Sequence, residues 1–236
     1  ATLLTIRMLW WRELVKFVRD RARLFGALAQ PLGFWLLLGL GFYGSIRLAG
    51  PSAPGSYLAY LLPGIVVLTI LFTAIFSTMA IVEERRSGLL QAALVAPVPR
   101  TALVLGYGLG GTTLALLEAV LLLGLLPFVN GVHLTPSGLA LTLSVSVLTG
   151  LAFAVLGFVV AWHAASTRGY HAVMLQALMR FNPVTYMVSA LRQGLFGPDA
   201  AGAVGTPEAC LLITLLFTVA LLLLAVRTVR RPLPRT

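Results

Sequence analysis

Apolar residues run along this chain in long unbroken stretches, separated by short segments where charge, glycine and proline collect. Stretches at residues 24–46, 57–82, 102–129, 138–161 and 208–226 are each long enough to cross a ~30 Å hydrocarbon core as a helix. Three further segments alternate with a helical period and carry one apolar and one polar face. In residues 2–23, Leu3, Ile6, Trp10, Leu14, Phe17 and Val18 fall on one side and Arg12, Lys16, Arg19 and Arg23 on the other. With Trp10 and Trp11 near the apolar side, that pattern predicts a helix in the headgroup layer. The alternative is a set of stop-transfer charges without a role of their own. Residues 83–99 have a charged head (Glu83, Glu84, Arg85, Arg86), then Gly88, an apolar body of Leu89, Leu90 and Leu94, and a stop at Pro97 and Pro99. This connection is long enough for a short surface helix. Residues 181–196 open on Asn182-Pro183, a helix start, contain Arg192, and are too short to span.

Composition fixes the class. Of 236 residues, 59% are hydrophobic and 10% charged, and the mean hydropathy is +0.97. Soluble domains carry about 25% charged residues, so the chain reads as an all-α polytopic membrane protein, one transmembrane domain over residues 1–236. The net charge of +10 would suggest nucleic acid in a soluble protein, but placement decides otherwise. Of 17 Lys and Arg, six lie at or before Arg23, four follow Ala225 and three lie between Glu83 and Arg100. Clustering at span ends is the positive-inside pattern. It puts residues 83–99 and both basic ends on the cytoplasmic side, and the weakly charged segments 47–56 and 130–137 outside. The basic N-terminal segment is too long for a cleavable signal peptide. The single Cys210 excludes a disulfide within one chain.

Two basic ends on one side require an even number of spans, and five are visible. Between Arg168 and Arg180 the apolar run is only 11 residues, about half the length that ~30 Å of hydrocarbon requires. Residues 169–179 therefore read as a partial fifth span. The arithmetic predicts a missing segment of roughly 25–35 residues near 174–178, or else a true half-span that re-enters.

Enzyme chemistry finds no support. There is no phosphate-binding glycine loop after a strand, and Gly106 and Gly110 are spaced for helix packing within an apolar run. The three histidines are scattered, and Asp20 and Asp199 are the only aspartates. Glu118 is the one ionisable residue well inside a span. A carboxylate there must be neutral, paired or facing a wet cavity, which marks either a functional site or a helix–helix hydrogen bond. Aromatics such as Trp35, Tyr43, Tyr57, Tyr60 and Trp162 lie near span ends, which favours a hydrophobic substrate over a glycan.

With these residues in hand, the chain resembles a permease subunit of the ABC-type-2 exporter family over nearly its whole length. Glu84, Gly88, Leu94, Pro97 and Gly106 stand as in the family's pattern from the cytoplasmic loop into span 3, and Phe181-Asn182-Pro183 with Arg192 resembles its "NP…R" before the last span. The resemblance implies an N-terminal interfacial helix plus six spans, so the five visible here are a departure. It implies a homo- or heterodimer of permeases above two ABC ATPase subunits, which hold ATP and Mg. This chain would bind no cofactor and would be no enzyme itself. Residues 83–99 would be the coupling helix docking into the ATPase, 181–196 an external re-entrant helix, and Glu118, Tyr57 and Tyr60 part of a translocation path. The substrate would be hydrophobic and lipid-like or drug-like, or a glycan-linked relative, exported from the cytoplasm or inner leaflet. The setting would be a bacterial inner membrane with both termini cytoplasmic, with lipid as a partner and nucleic acid not. Two other readings stay open: a non-transporting scaffold subunit that docks the same ATPase, and a secondary carrier, for which one lone carboxylate is a poor proton relay.

Overall fold

Threonine and proline set where two of the long helices begin. Thr135 caps the helix that starts at Pro136: its Oγ1 accepts from Gly138 N at 3.0 Å and its carbonyl from Leu139 N at 2.8 Å. Thr206 and Pro207 repeat the device, with Cys210 N donating to the Thr206 carbonyl at 3.0 Å. Proline suits the first helical position because its missing N–H would have no partner there. The computed structural model describes residues 2–41, 57–88, 99–128, 132, 135–163 and 183–230. Among the described residues there are seven α-helices and no strand: α1 (Thr2–Arg19), α2 (Arg21–Gly41), α3 (Tyr57–Arg86), α4 (Arg100–Leu123), α5 (Pro136–His163), α6 (Val184–Phe196) and α7 (Pro207–Arg230). A single 3-10 turn, Leu126–Phe128, follows α4.

The protein is an all-α polytopic membrane protein. Four of the described helices are long and apolar enough to cross a membrane: Tyr57–Glu84, Arg100–Leu123, Pro136–His163 and Pro207–Val229. The second half of α2, Ala29–Gly41, is apolar but shorter. Residues 42–46 of the expected first span, the partial span at 169–179 and the gap expected near 174–178 lie outside the described residues. At ~1.5 Å per residue the 30 residues of α3 extend ~45 Å, more than a ~30 Å core, so α3 projects beyond the hydrocarbon.

Two boundaries differ from the sequence pattern. The N-terminal helix ends at Arg19, and Arg23 belongs to α2. Helix α3 runs through Glu83 and Glu84 to Arg86, so these residues are its last turn and not the head of a separate surface helix. Gly88, with φ +79°, ends that turn in the left-handed conformation that glycine adopts at low cost.

The centre of the fold is α3, α4 and α5, with α7 packed on α5, α2 on α3 and α1 on α4. Phe153, Phe158, Leu62, Ile70 and Val66 are fully buried there. Glycines bring the backbones close. A Cβ on Gly108 would meet Val155 at 3.4 Å, and one on Gly150 would meet Thr112 at 3.2 Å. On the opposite face of α4, Gly106 and Gly110 receive α1: added Cβ atoms would fall 2.7 Å from Leu9 Cβ and 2.9 Å from Glu13 Cβ. Each step of four residues along α4 is matched by four along α1, so the two run in the same direction. At the far end, α6 docks on α5 where Gly194 meets Gly138; a Cβ on Gly194 would lie 2.7 Å from the Gly138 carbonyl oxygen. Thirteen residues make α6 ~20 Å long, too short to span.

Alanine is intrinsically better than glycine inside a helix by about 1 kcal/mol, which gives a test with opposite signs. Gly33 has nothing within 4 Å of an added Cβ, so Gly33→Ala should leave the melting temperature of the detergent-solubilised protein unchanged or raised. Gly106→Ala/Gly110→Ala should lower it, by overpacking worth about 1–3 kcal/mol. Equal effects would refute the α1–α4 contact.

Candidate functional site

Helix α1 presents an inner face of Leu9, Trp10, Glu13 and Phe17, at the i, i+3, i+4 spacing of one helix side. Glu13 and Phe17 are buried, and Trp10 Nε1 donates to Thr113 Oγ1 at 2.9 Å. Leu3 and Val18, expected on the apolar side, are exposed. Arg12 and Lys16, one turn apart, reach past this face to α3. Lys16 pairs with Glu84, Arg12 Nη2 lies 3.0 Å from Glu84 Oε2, and the Tyr107 hydroxyl of α4 donates to the same carboxylate. Arg12 Nη2 also donates to the Tyr107 oxygen at 2.7 Å and to Glu13 Oε1 at 3.2 Å, while Lys16 lies 3.3 Å from Glu13 Oε1. Burial works against the Arg12 charge, but Tyr107, Glu84 and Glu13 outweigh it and hold its pKa above the ordinary arginine range. Three helices thus meet on one carboxylate.

This changes the reading of three predicted residues. Glu84 is only 6% exposed, so its carboxylate is held inside the bundle. Arg12 and Lys16 turn inward to Glu84 instead of forming a stripe for headgroups alone. Glu83 is exposed beside the anchor, as are Trp11 and Arg19 on the outer side of α1. Arg85 and Arg86 complete the last turn of α3. Leu89, Leu90, Leu94 and Pro97 lie outside the described residues.

At the opposite end, Arg192 of α6 is buried and closes a second knot. Its Nη1 donates to the carbonyls of Ala201 (3.3 Å) and Gly202 (3.1 Å), its Nη2 to that of Tyr60 (3.3 Å), and its guanidinium lies 4.2 Å from the Tyr60 ring centre. Tyr60 is stacked on Tyr57 at 6.1 Å. Arg192 therefore covers one face of the part-buried Tyr60 ring. Pro183 stands at the start of α6, and Asn182 lies outside the described residues.

Between the two knots sits Glu118, 1% exposed. Thr73 of α3 donates to one of its oxygens, and the other, Oε1, has no hydrogen-bond partner among the described residues. Glu118 lines a cavity of about 270 Å³ between α1, α2, α3 and α4, with Gln30, Phe34, Phe72, Phe76 and Glu13. It also lines a second cavity of about 230 Å³, which shares Pro31 and Thr69 with the first. Proline leaves a carbonyl of the preceding turn without its helical donor and kinks the helix, which fits a seam opening between α2 and its neighbours at this level.

Sequence reasoning passed over Glu13, Thr73 and Tyr107. Glu13 was findable, as the only acid among the residues of α1, standing three residues after Trp10 and four before Phe17. Nothing local marks Tyr107 or Thr73; their role depends on which helices meet.

Residues 5–174 match the family model described as ABC-2 type transporter. No curated protein matches the chain.

A double-mutant cycle measures the anchor. Breaking a buried ion pair leaves an uncompensated charge, but the side chains of Arg12 and Lys16 remain 37% and 39% exposed, so solvent screens part of the loss. Glu84→Ala should destabilise by about 1–3 kcal/mol, and its coupling to Lys16→Ala should reach about 0.5 kcal/mol or more. Strict additivity in detergent unfolding would show that the pair is not formed.

Proposed function

The chain belongs to the ABC-2 type transporter family as the permease component of an ABC transporter, and from that premise we propose that it works as an exporter subunit driven by a separate ATPase. The observation that carries this reading is the anchor at Glu84. It ties α1, α3 and α4 together at the turn where α3 ends and the connection 89–98 begins. A force applied to that connection would reach three helices through one set of ion pairs, and a well-packed helix group shifts as a body between discrete arrangements.

In this reading residues 85–99 dock on the ATPase, which holds ATP and Mg, with Leu89, Leu90 and Leu94 filling an apolar groove and exposed Glu83 helping orientation. Arg100, whose Nη1 donates to the Val229 carbonyl at 3.1 Å, ties the start of α4 to the end of α7. Two permease copies form the transport unit in a bacterial inner membrane, with both chain ends cytoplasmic. The substrate is hydrophobic, and it moves outward along the α2–α3–α4 seam past Glu118. The knot of Arg192 and Tyr60 lies at the exit end.

Leu94→Asp, or deletion of residues 86–94, should abolish co-purification of the ATPase while membrane insertion persists. Undiminished association would overturn the docking role. Association without substrate-stimulated ATP hydrolysis in reconstituted vesicles would instead support a scaffold subunit.

A further inference from the structure

The two buried acids around the larger cavity have different partners. Glu13 is held by Arg12 and Lys16. Glu118, nearly fully buried, has only the neutral Thr73 hydroxyl, and among the described residues no basic side chain pairs with it. Its Oε1 has no partner at all among them. A buried polar atom left without a partner is costly, and one lining two cavities is placed to receive a donor from a guest.

The walls specify what kind of guest. Phe34, Phe72 and Phe76 line the cavity, and Phe72 and Phe76 stack with ring centres 5.8 Å apart. Gln30, Thr69, Thr73 and Ser77 supply neutral polar atoms only. Aromatic faces attract cations and bury hydrocarbon. A phosphate or carboxylate guest would meet Glu13 and Glu118 with no free cation among the described lining residues to offset them. We propose that this cavity binds hydrophobic organic cations, a quaternary or protonated ammonium or a phosphonium with an aromatic body, through Glu118. The inference deepens the exporter reading and rests on it for the claim that such a cation is the substrate. The binding itself does not depend on an ATPase.

The test uses the full chain in neutral phosphatidylcholine nanodiscs with radiolabelled tetraphenylphosphonium. Saturable binding is expected, and Glu118→Gln should weaken it about tenfold or more, the loss of one charge-assisted contact. Phe72→Ala, which leaves the carboxylate intact, should weaken it several-fold. Tetraphenylborate, of matching shape and opposite charge, should not compete on the unmodified protein. That arm stands even if a variant fails to fold. Equal competition by the anion, or unchanged binding in folded Glu118→Gln, overturns the proposal. Co-purification of an ATPase without phosphonium binding would sink this inference and leave the exporter reading standing. Binding through Glu118 without any ATPase partner would do the reverse.

Discussion

The structure depends on one carboxylate that cannot be left alone. Glu84 ends a long apolar helix and is buried where that helix leaves the bundle. Several kcal/mol would be lost if it stayed charged without partners. Lys16, Arg12 and Tyr107 supply them from two other helices. The N-terminal helix is therefore not free to lie at any angle on the membrane surface. Its two cations must come within reach of α3 while Leu9 and Glu13 seat against Gly106 and Gly110. Charge sets which helices meet, and the glycines set how closely.

The same division of labour recurs at the opposite end. Gly138 and Gly194 let α6 approach α5, and Arg192 then satisfies three carbonyls while covering Tyr60. Neither contact follows from hydrophobic burial, which gains little between helices already surrounded by lipid. In such a medium, small residues and polar links carry the specificity. On α4, Gly106 and Gly110 admit α1 on one face, while Gly108 and Gly111 admit α5 and α3 on others.

Much of this was legible in the sequence for simple physical reasons. Spans follow from run length and apolarity, and the packing use of Gly106 and Gly110 from their spacing. What could not be read was pairing. A pattern of basic residues along one helix face looks the same whether it meets headgroups or a carboxylate far along the chain. Arg12 and Glu84 are separated by 72 positions, and only the arrangement of helices makes them neighbours. Glu84 looked like a surface charge because its sequence neighbours Glu83, Arg85 and Arg86 are charged. Helical geometry puts adjacent residues about 100° apart, so one of a charged run can point inward.

The two intramembrane and near-membrane glutamates, Glu84 and Glu118, now separate by what surrounds them. Glu84 receives a lysine, an arginine and a phenol, so nothing more can be added at low cost. A carboxylate saturated in this way is a fixed joint. Glu118 receives one hydroxyl, keeps an oxygen without a partner among the described residues and faces two cavities, the larger of the two walled by Phe34, Phe72 and Phe76. If its only task were to hold α3 to α4, a hydroxyl or amide would do so without introducing an acid into the span. A carboxylate that is only half satisfied is costly in this medium, and that cost is explained by a partner that comes and goes. One acid is fully paired where α3 leaves the bundle; the other keeps an oxygen without a partner among the described residues, beside the cavities between α2, α3 and α4.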